Sequence, residues 1–325
     1  MHPAFSVIFL TTLIGAGQGL FLALYTGQIY SVFNVFPEQD SHNFYGIGSL
    51  IAVLFLVTGL IASMFHLGHP ERAWRSAAMW RTSWLSREVI ALPAFISMTI
   101  AYGSIHYFDL NPILFNIGDS LIIDLSLLIG AINTLLAFTL FICTGMIYAC
   151  IKFLQEWATS LTLFNFILLG TASGFIFATA FAQWNNSELV TFYAIWSIII
   201  TVSAFISRLA SLIRNTKLKY KSNMRTAIGI RHNKIQQKSQ GSMGGSFNTR
   251  EYFHGVTPGM FKSMKWMFLI LVFPVPIILI FTGLTSNSLF LFTVAFSVQY
   301  IGLIMERWFF FAQANHPQNL YYQTV

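Results

Sequence analysis

The strongest constraint in this chain is a set of long stretches with no charged residue. Residues 1–37, 41–70, 89–108, 125–151, 157–187, 189–207 and 266–305 contain no Asp, Glu, Lys or Arg. A helix needs about 20 mostly apolar residues to cross ~30 Å of hydrocarbon, and an ionisable side chain near the bilayer centre is expensive. Each run is therefore long enough to cross. The last is twice that length and breaks at the polar segment Leu284-Thr285-Ser286-Asn287-Ser288. Eight spans result, centred near residues 18, 55, 97, 135, 170, 199, 274 and 297. The runs are about twice a barrel strand in length and do not alternate, so helices are expected rather than a β-barrel. The fold class is all-α: one polytopic membrane domain over residues 1–325.

Composition agrees. The chain is 55% hydrophobic and 9% charged, with 33 Phe, against about 25% charged in soluble domains. This excludes a soluble enzyme, a disordered tail and a disulfide-stapled secreted domain. Cys143 and Cys150 both lie in an apolar run, seven residues apart, where packing is expected rather than a disulfide. No Lys or Arg precedes the first run, so a cleaved signal peptide is not expected. The net charge of +7 marks a membrane face rather than nucleic-acid binding.

That face can be read from the loops. The second loop holds Arg72, Arg75, Arg81 and Arg87, the fourth Lys152, and the sixth holds or borders twelve basic residues from Arg208 to Lys265; Arg307 closes the last span. All 18 Lys and Arg lie on one side. The odd loops hold Glu38, Asp40, Asp109, Asp119 and Glu188. The positive-inside rule then puts the even loops and both termini in the cytoplasm of a bacterial inner-membrane protein. Residues 67–87 read as an interfacial segment, with three Trp at headgroup depth and four Arg able to snorkel. Residues 211–263 read as a long basic loop able to bind anionic lipid.

His66 closes the second span and Glu88 opens the third, both at the basic edge. An imidazole and a carboxylate there can relay protons, or simply bond at helix ends. Within the spans, Gly15 and Gly19 form a close-packing spacing, Gln18 and Asn133 need interhelical partners, and Pro274 and Pro276 should kink the seventh span. Asp124 is the one candidate charge beneath the surface.

The segments Ser63-Met64-Phe65-His66-Leu67-Gly68-His69-Pro70-Glu71-Arg72-Ala73-Trp74-Arg75 and Ser83-Trp84-Leu85-Ser86-Arg87-Glu88 resemble the membrane-anchor subunit family of dimethyl sulfoxide reductase. So do His2-Pro3-Ala4-Phe5-Ser6, the stretch from Met243 to Glu251, and the closing stretch from Glu306 to His316. The long basic sixth loop looks most like the branch that accompanies cytoplasm-facing, sulfite-oxidising molybdoenzymes. The resemblance implies two partners, a molybdopterin catalytic subunit and an iron–sulfur subunit with four clusters, and exchange of electrons with quinone (ubiquinone or menaquinone). It implies a quinol-binding role for His66 and Glu88. Around the head, Trp84 is a candidate wall, and Arg75 or Arg81 a candidate partner for developing negative charge. Tyr148, His2 and Ser6 lie at the same depth.

None of the eight His lies mid-span, and no Cys cluster exists, so neither a bridging haem nor an iron–sulfur centre is expected in this chain. The quinone head is then expected near the face where the iron–sulfur subunit docks, which is the basic face. The competing readings are a quinol-oxidising anchor for a sulfoxide, polysulfide or oxyanion reductase, an anchor with no quinone site, and a transporter. The last suffers from the absence of a visible repeat and of midplane charges.

Overall fold

The computed structural model describes residues 1–117, 121–229, 232, 234 and 253–317. Asp119, Arg231, Lys238, Arg250 and the Met243–Glu251 stretch lie outside the described residues.

Among the described residues, eight helices are long and apolar enough to cross a membrane. They are α1 (Phe5–Val32); α2 (Ile47–Met64), extended backward by a π-helical turn at Ser41–Gly46; α3 (Trp84–Tyr107); α4 (Leu125–Ala149); α5 (Ser160–Trp184); α6 (Val190–Thr216); a seventh span in two pieces; and the closing helix. A short helix, α7 (Met224–Ile228), follows α6. The seventh span comprises α8 (Pro258–Val272) and α9 (Pro274–Ser286), and α10 (Leu289–Ala312) closes the bundle. The break at Phe273 sits where Pro274 and Pro276 lack the N–H groups that would continue the ladder. The turn after α9 is tighter than the polar segment suggests: the helix runs through Ser286, and Asn287 caps it in the left-handed region at φ 51°, a conformation Asn tolerates.

Helix α1 is the axis of the bundle. It is buried without interruption from Ile14 to Tyr25 and packs against α2, α4, α5 and α10. A helix apolar on every side belongs in such a position. Its backbone comes against that of α5. Gly15 and Gly19 face Gly170 and Gly174, and a Cβ on Gly19 or Gly174 would overlap the facing backbone. In lipid, association depends on such close packing and on interhelical hydrogen bonds. The bonds are present: Gln18 Nε2 donates to Ala137 O at 2.8 Å and Asn133 Nδ2 to Thr99 Oγ1 at 2.9 Å. Tyr25 and Tyr193 hydroxyls reach Leu127 O and Ala23 O at 2.9 and 3.0 Å. Cys143 is buried and Cys150 exposed, and both are free.

Three features depart from the sequence reading. The third loop contains a two-stranded antiparallel hairpin, β1 (Ile113–Ile117) with β2 (Leu121–Asp124). Asp124 is not a charge stranded in the membrane. It is the N-cap of α4, accepting from Leu127 N at 2.8 Å and from Ser126 Oγ and Asn111 Nδ2. Helix α6 also continues to Thr216, so Arg208, expected in or beside the sixth loop, lies inside it.

The start of the chain meets the segment that follows α10: the Met1 amine donates to Ala314 O at 2.7 Å. Burial lowers that amine's pKa to about 6. The fourth loop seals the same end, with Trp157 Nε1 donating to Phe310 O at 2.9 Å and Arg214 donating to Gln155 O at 2.9 Å.

Replacing Gly174 by Val should prevent α1 and α5 from approaching. We expect loss of folded protein from membranes, measured by detergent-extracted yield, whereas Gly259→Ala, with open space around it, should leave that yield near the wild-type level.

Candidate functional site

Helix α3 is capped by Ser83, whose Oγ accepts from Ser86 N, and Glu88 lies about one turn into the helix. It faces inward and is buried. The Thr144 hydroxyl of α4 donates to its Oε1. Glu88 lines a narrow cavity with Gln18, Thr11, Thr12, Phe166, Ser173 and Arg307 among its walls. The cavity is about 20 Å³, room for one or two waters. Among the described residues, Glu88 and Arg307 are its ionisable walls.

The other sequence-predicted residues lie outside this cavity. His66 follows the end of α2, exposed, its backbone N–H turned back to Ser63 O. Loss of hydration to its neighbours pushes its pKa below the ordinary histidine value. The structure does not bring it into the Glu88 cavity. Arg75 and Arg81 are exposed and lie over Trp74 and Trp80, at 5.5 and 5.4 Å from the ring centroids. Trp84 is half-buried, and Arg87 covers its face at 4.2 Å. Arg87 also donates to Trp80 O and Arg81 O, which pins the 3₁₀ segment Pro70–Met79 and its following turn to the start of α3. That segment and its flanks project large apolar side chains: Phe65, Trp74 and Trp80 are 82%, 71% and 52% exposed. Tyr148 stacks on Phe166 and meets Trp157, Phe310 and Phe311 edge-on. Its hydroxyl lies within electrostatic reach of both Glu88 and Arg307.

The feature missed in the sequence is a buried ion cluster. Arg208 Nε of α6 lies 2.7 Å from Glu306 Oε1 of α10, and Arg307 Nε lies 3.1 Å from Glu306 Oε2. All three are buried. Arg307 also lies over Phe166, 3.9 Å from the ring centroid. In sequence the two charges beside the last span look like its end, yet Trp308–Ala312 continue the apolar pattern and are buried. The same holds for Arg208, followed by Leu209, Ala210 and Leu212. Charges flanked on both sides by continuing apolar sequence are the available signal. The charges beneath the surface thus include these three, whereas Asp124, the candidate in the sequence, is a helix cap.

At the mouth of the basic end, Glu156 is buried and accepts from Tyr220 Oη at 2.5 Å and Asn315 N at 3.2 Å. Burial and this carboxylate push the Tyr220 pKa up. Among the described residues, no group of three or more His, Cys, Asp or Glu is placed to hold a metal ion.

Eight spans, one of them the buried central helix α1, with a carboxylate and an ion cluster inside the basic end, define a multi-pass membrane protein. The chain belongs to the DMSO reductase anchor subunit (DmsC) family, which it matches over residues 1–313. The C-subunit of sulfite dehydrogenase from Allochromatium vinosum is 55% identical to it over 325 residues, covering all of both chains.

The ion cluster should be costly to break. Glu306→Gln leaves two buried guanidinium groups unpaired, and we expect a loss of about 3–5 kcal/mol, read as a lowered melting temperature of the detergent-solubilised chain.

Proposed function

We propose that this chain is the quinone-reactive membrane anchor of a molybdopterin and iron–sulfur oxidoreductase, passing electrons from sulfite oxidation to quinone at the cytoplasmic side of the inner membrane. The observation that carries this reading is Glu88: a carboxyl group buried one turn inside the basic end, on a polar cavity, in a chain 55% identical to a sulfite dehydrogenase component. Sulfite is oxidised at molybdenum in another subunit. An iron–sulfur subunit with four clusters docks on the second and sixth loops, where the basic and aromatic side chains are exposed.

Quinone is the substrate here, and its reduction takes up two electrons and two protons. The donor set suits the protons: a carboxyl group, a threonine hydroxyl and an imidazole stand at one end of the bundle. The cavity suits water rather than a ring, so the head belongs at its mouth, beneath the second loop. Glu88 delivers a proton to a quinone carbonyl, and His66, exposed and held toward its neutral form, links that proton to bulk water. Trp84 walls the site, and Arg75 and Arg81 supply positive charge beside it. Protons enter from the side on which sulfite oxidation releases them, so turnover carries no net charge across the membrane.

His66→Arg and Glu88→Gln should each lower quinone-linked sulfite oxidation by about 10²-fold or more, the range of acid–base contributions. Complex assembly and dye-linked activity should remain. Retained quinone reduction in both variants would remove the proposed site, and failed assembly would make these docking residues. In sealed vesicles, a voltage-sensitive dye should report no charge movement coupled to turnover.

A further inference from the structure

The buried ion cluster does not balance itself. Arg208 and Arg307 carry two positive charges and Glu306 one negative, all inside the bundle. An uncompensated buried charge costs several kcal/mol. Arg307 Nη1 has no hydrogen-bond partner among protein atoms, yet Arg307 lines the cavity shared with Glu88. Buried polar atoms left without a protein partner are ordinarily satisfied by ordered water, and the cavity has room for it.

We infer that Glu88 is the fourth member of this cluster: it rests as a carboxylate that neutralises Arg208–Glu306–Arg307 across a water-filled cavity, which makes the three cluster residues positioning residues for its charge. The inference rests on the proton-delivery reading given to Glu88 above, and extends it to residues on α6 and α10. Other groups facing Glu88 do not compete for this role. From α4 come Thr144, which donates to it, and Cys143 and Tyr148, which are neutral. From α3 comes Arg87, whose guanidinium is turned outward to Trp80 O and Arg81 O. The walls given by α1 and α5 carry no charge.

The arrangement explains why Glu88 would carry protons rather than store them. A proton bound at Glu88 leaves the cluster with a net positive charge in a medium of low dielectric. The bound proton is therefore passed on readily to a carbonyl oxygen at the mouth.

The test is made on the purified full chain without quinone, so that it stands apart from the activity assays. Infrared difference spectra, wild type minus Glu88→Gln, should show a carboxylate and no protonated-carboxyl stretch at pH 7. A protonated stretch in the wild type overturns the inference, whatever the fate of any variant. Where the variants fold, thermal unfolding gives a second arm. Glu88→Gln alone should lower the melting temperature by several degrees. Combined with Arg307→Gln, which removes the charge left over, the loss should be smaller than the sum of the two. Combined with Glu306→Gln, which adds to it, the loss should exceed the sum. A purely structural role for Arg307 and Glu306 moves both combinations alike, and that result also overturns the inference. If quinone reduction survives Glu88→Gln while the infrared result holds, the functional reading fails and the charge assignment stands.

Discussion

The low dielectric of the membrane interior governs this structure, because it forces each buried charge to find a partner. Arg208 and Arg307 share the Glu306 carboxylate at 2.7 and 3.1 Å, with aromatic rings covering the guanidinium faces, and one positive charge is left over. Glu88 is held in the same region by Thr144. All of these groups sit at the end that carries Met1, the close of α10 and the arginines of the second loop. The opposite end is handled differently: Asp124 is used as a helix cap and His106 is held by Ser41 at 2.7 Å. The asymmetry gathers the buried ion cluster and the Glu88 carboxyl group at one end of the bundle.

Packing makes that face possible. The close approach of α1 and α5 through Gly15, Gly19, Gly170 and Gly174 draws α4 and α10 in around them. That brings Thr144 of α4, Glu88 of α3 and Arg307 of α10 to the walls of a single cavity. Three residues far apart in the chain thus share a water-sized space because small residues elsewhere let the backbones meet. The Phe309–Phe311 stretch and Trp157 pack together at the basic end.

Much of the architecture is legible in the sequence. The cost of charge in lipid makes the gaps between charged residues a reliable ruler, and all eight spans lie where those gaps are. Gln18 and Asn133 have the interhelical partners their polarity demands, and the two prolines divide the seventh span. The same ruler conceals the ion cluster, because it ends a span at the first charge it meets and so places Arg208 and Arg307 at the surface. The β1–β2 hairpin is hidden for another reason: Asn111-Pro112 and Gly118 give turn signals, but the short apolar runs beside them fall below the length that distinguishes a strand from a helix end. For the site, depth is legible and neighbourhood is not. His66 and Glu88 both belong to the basic edge, yet only Glu88 turns inward, since helical phase from Ser83 directs it toward α4 while His66 lies beyond the last turn of α2.

Membership of the anchor family and the inward carboxyl group lead to one account: a bundle that delivers protons, on its basic side, to a lipid-soluble carrier reduced by electrons from a docked partner. Locating that carrier tests the account most directly. A structure of the assembled complex with bound quinone should show the head at the mouth of the Glu88 cavity, beneath the Trp84 turn and facing the docked subunit. A head lodged instead at the opposite rim, near His106 and Asp124, would contradict it.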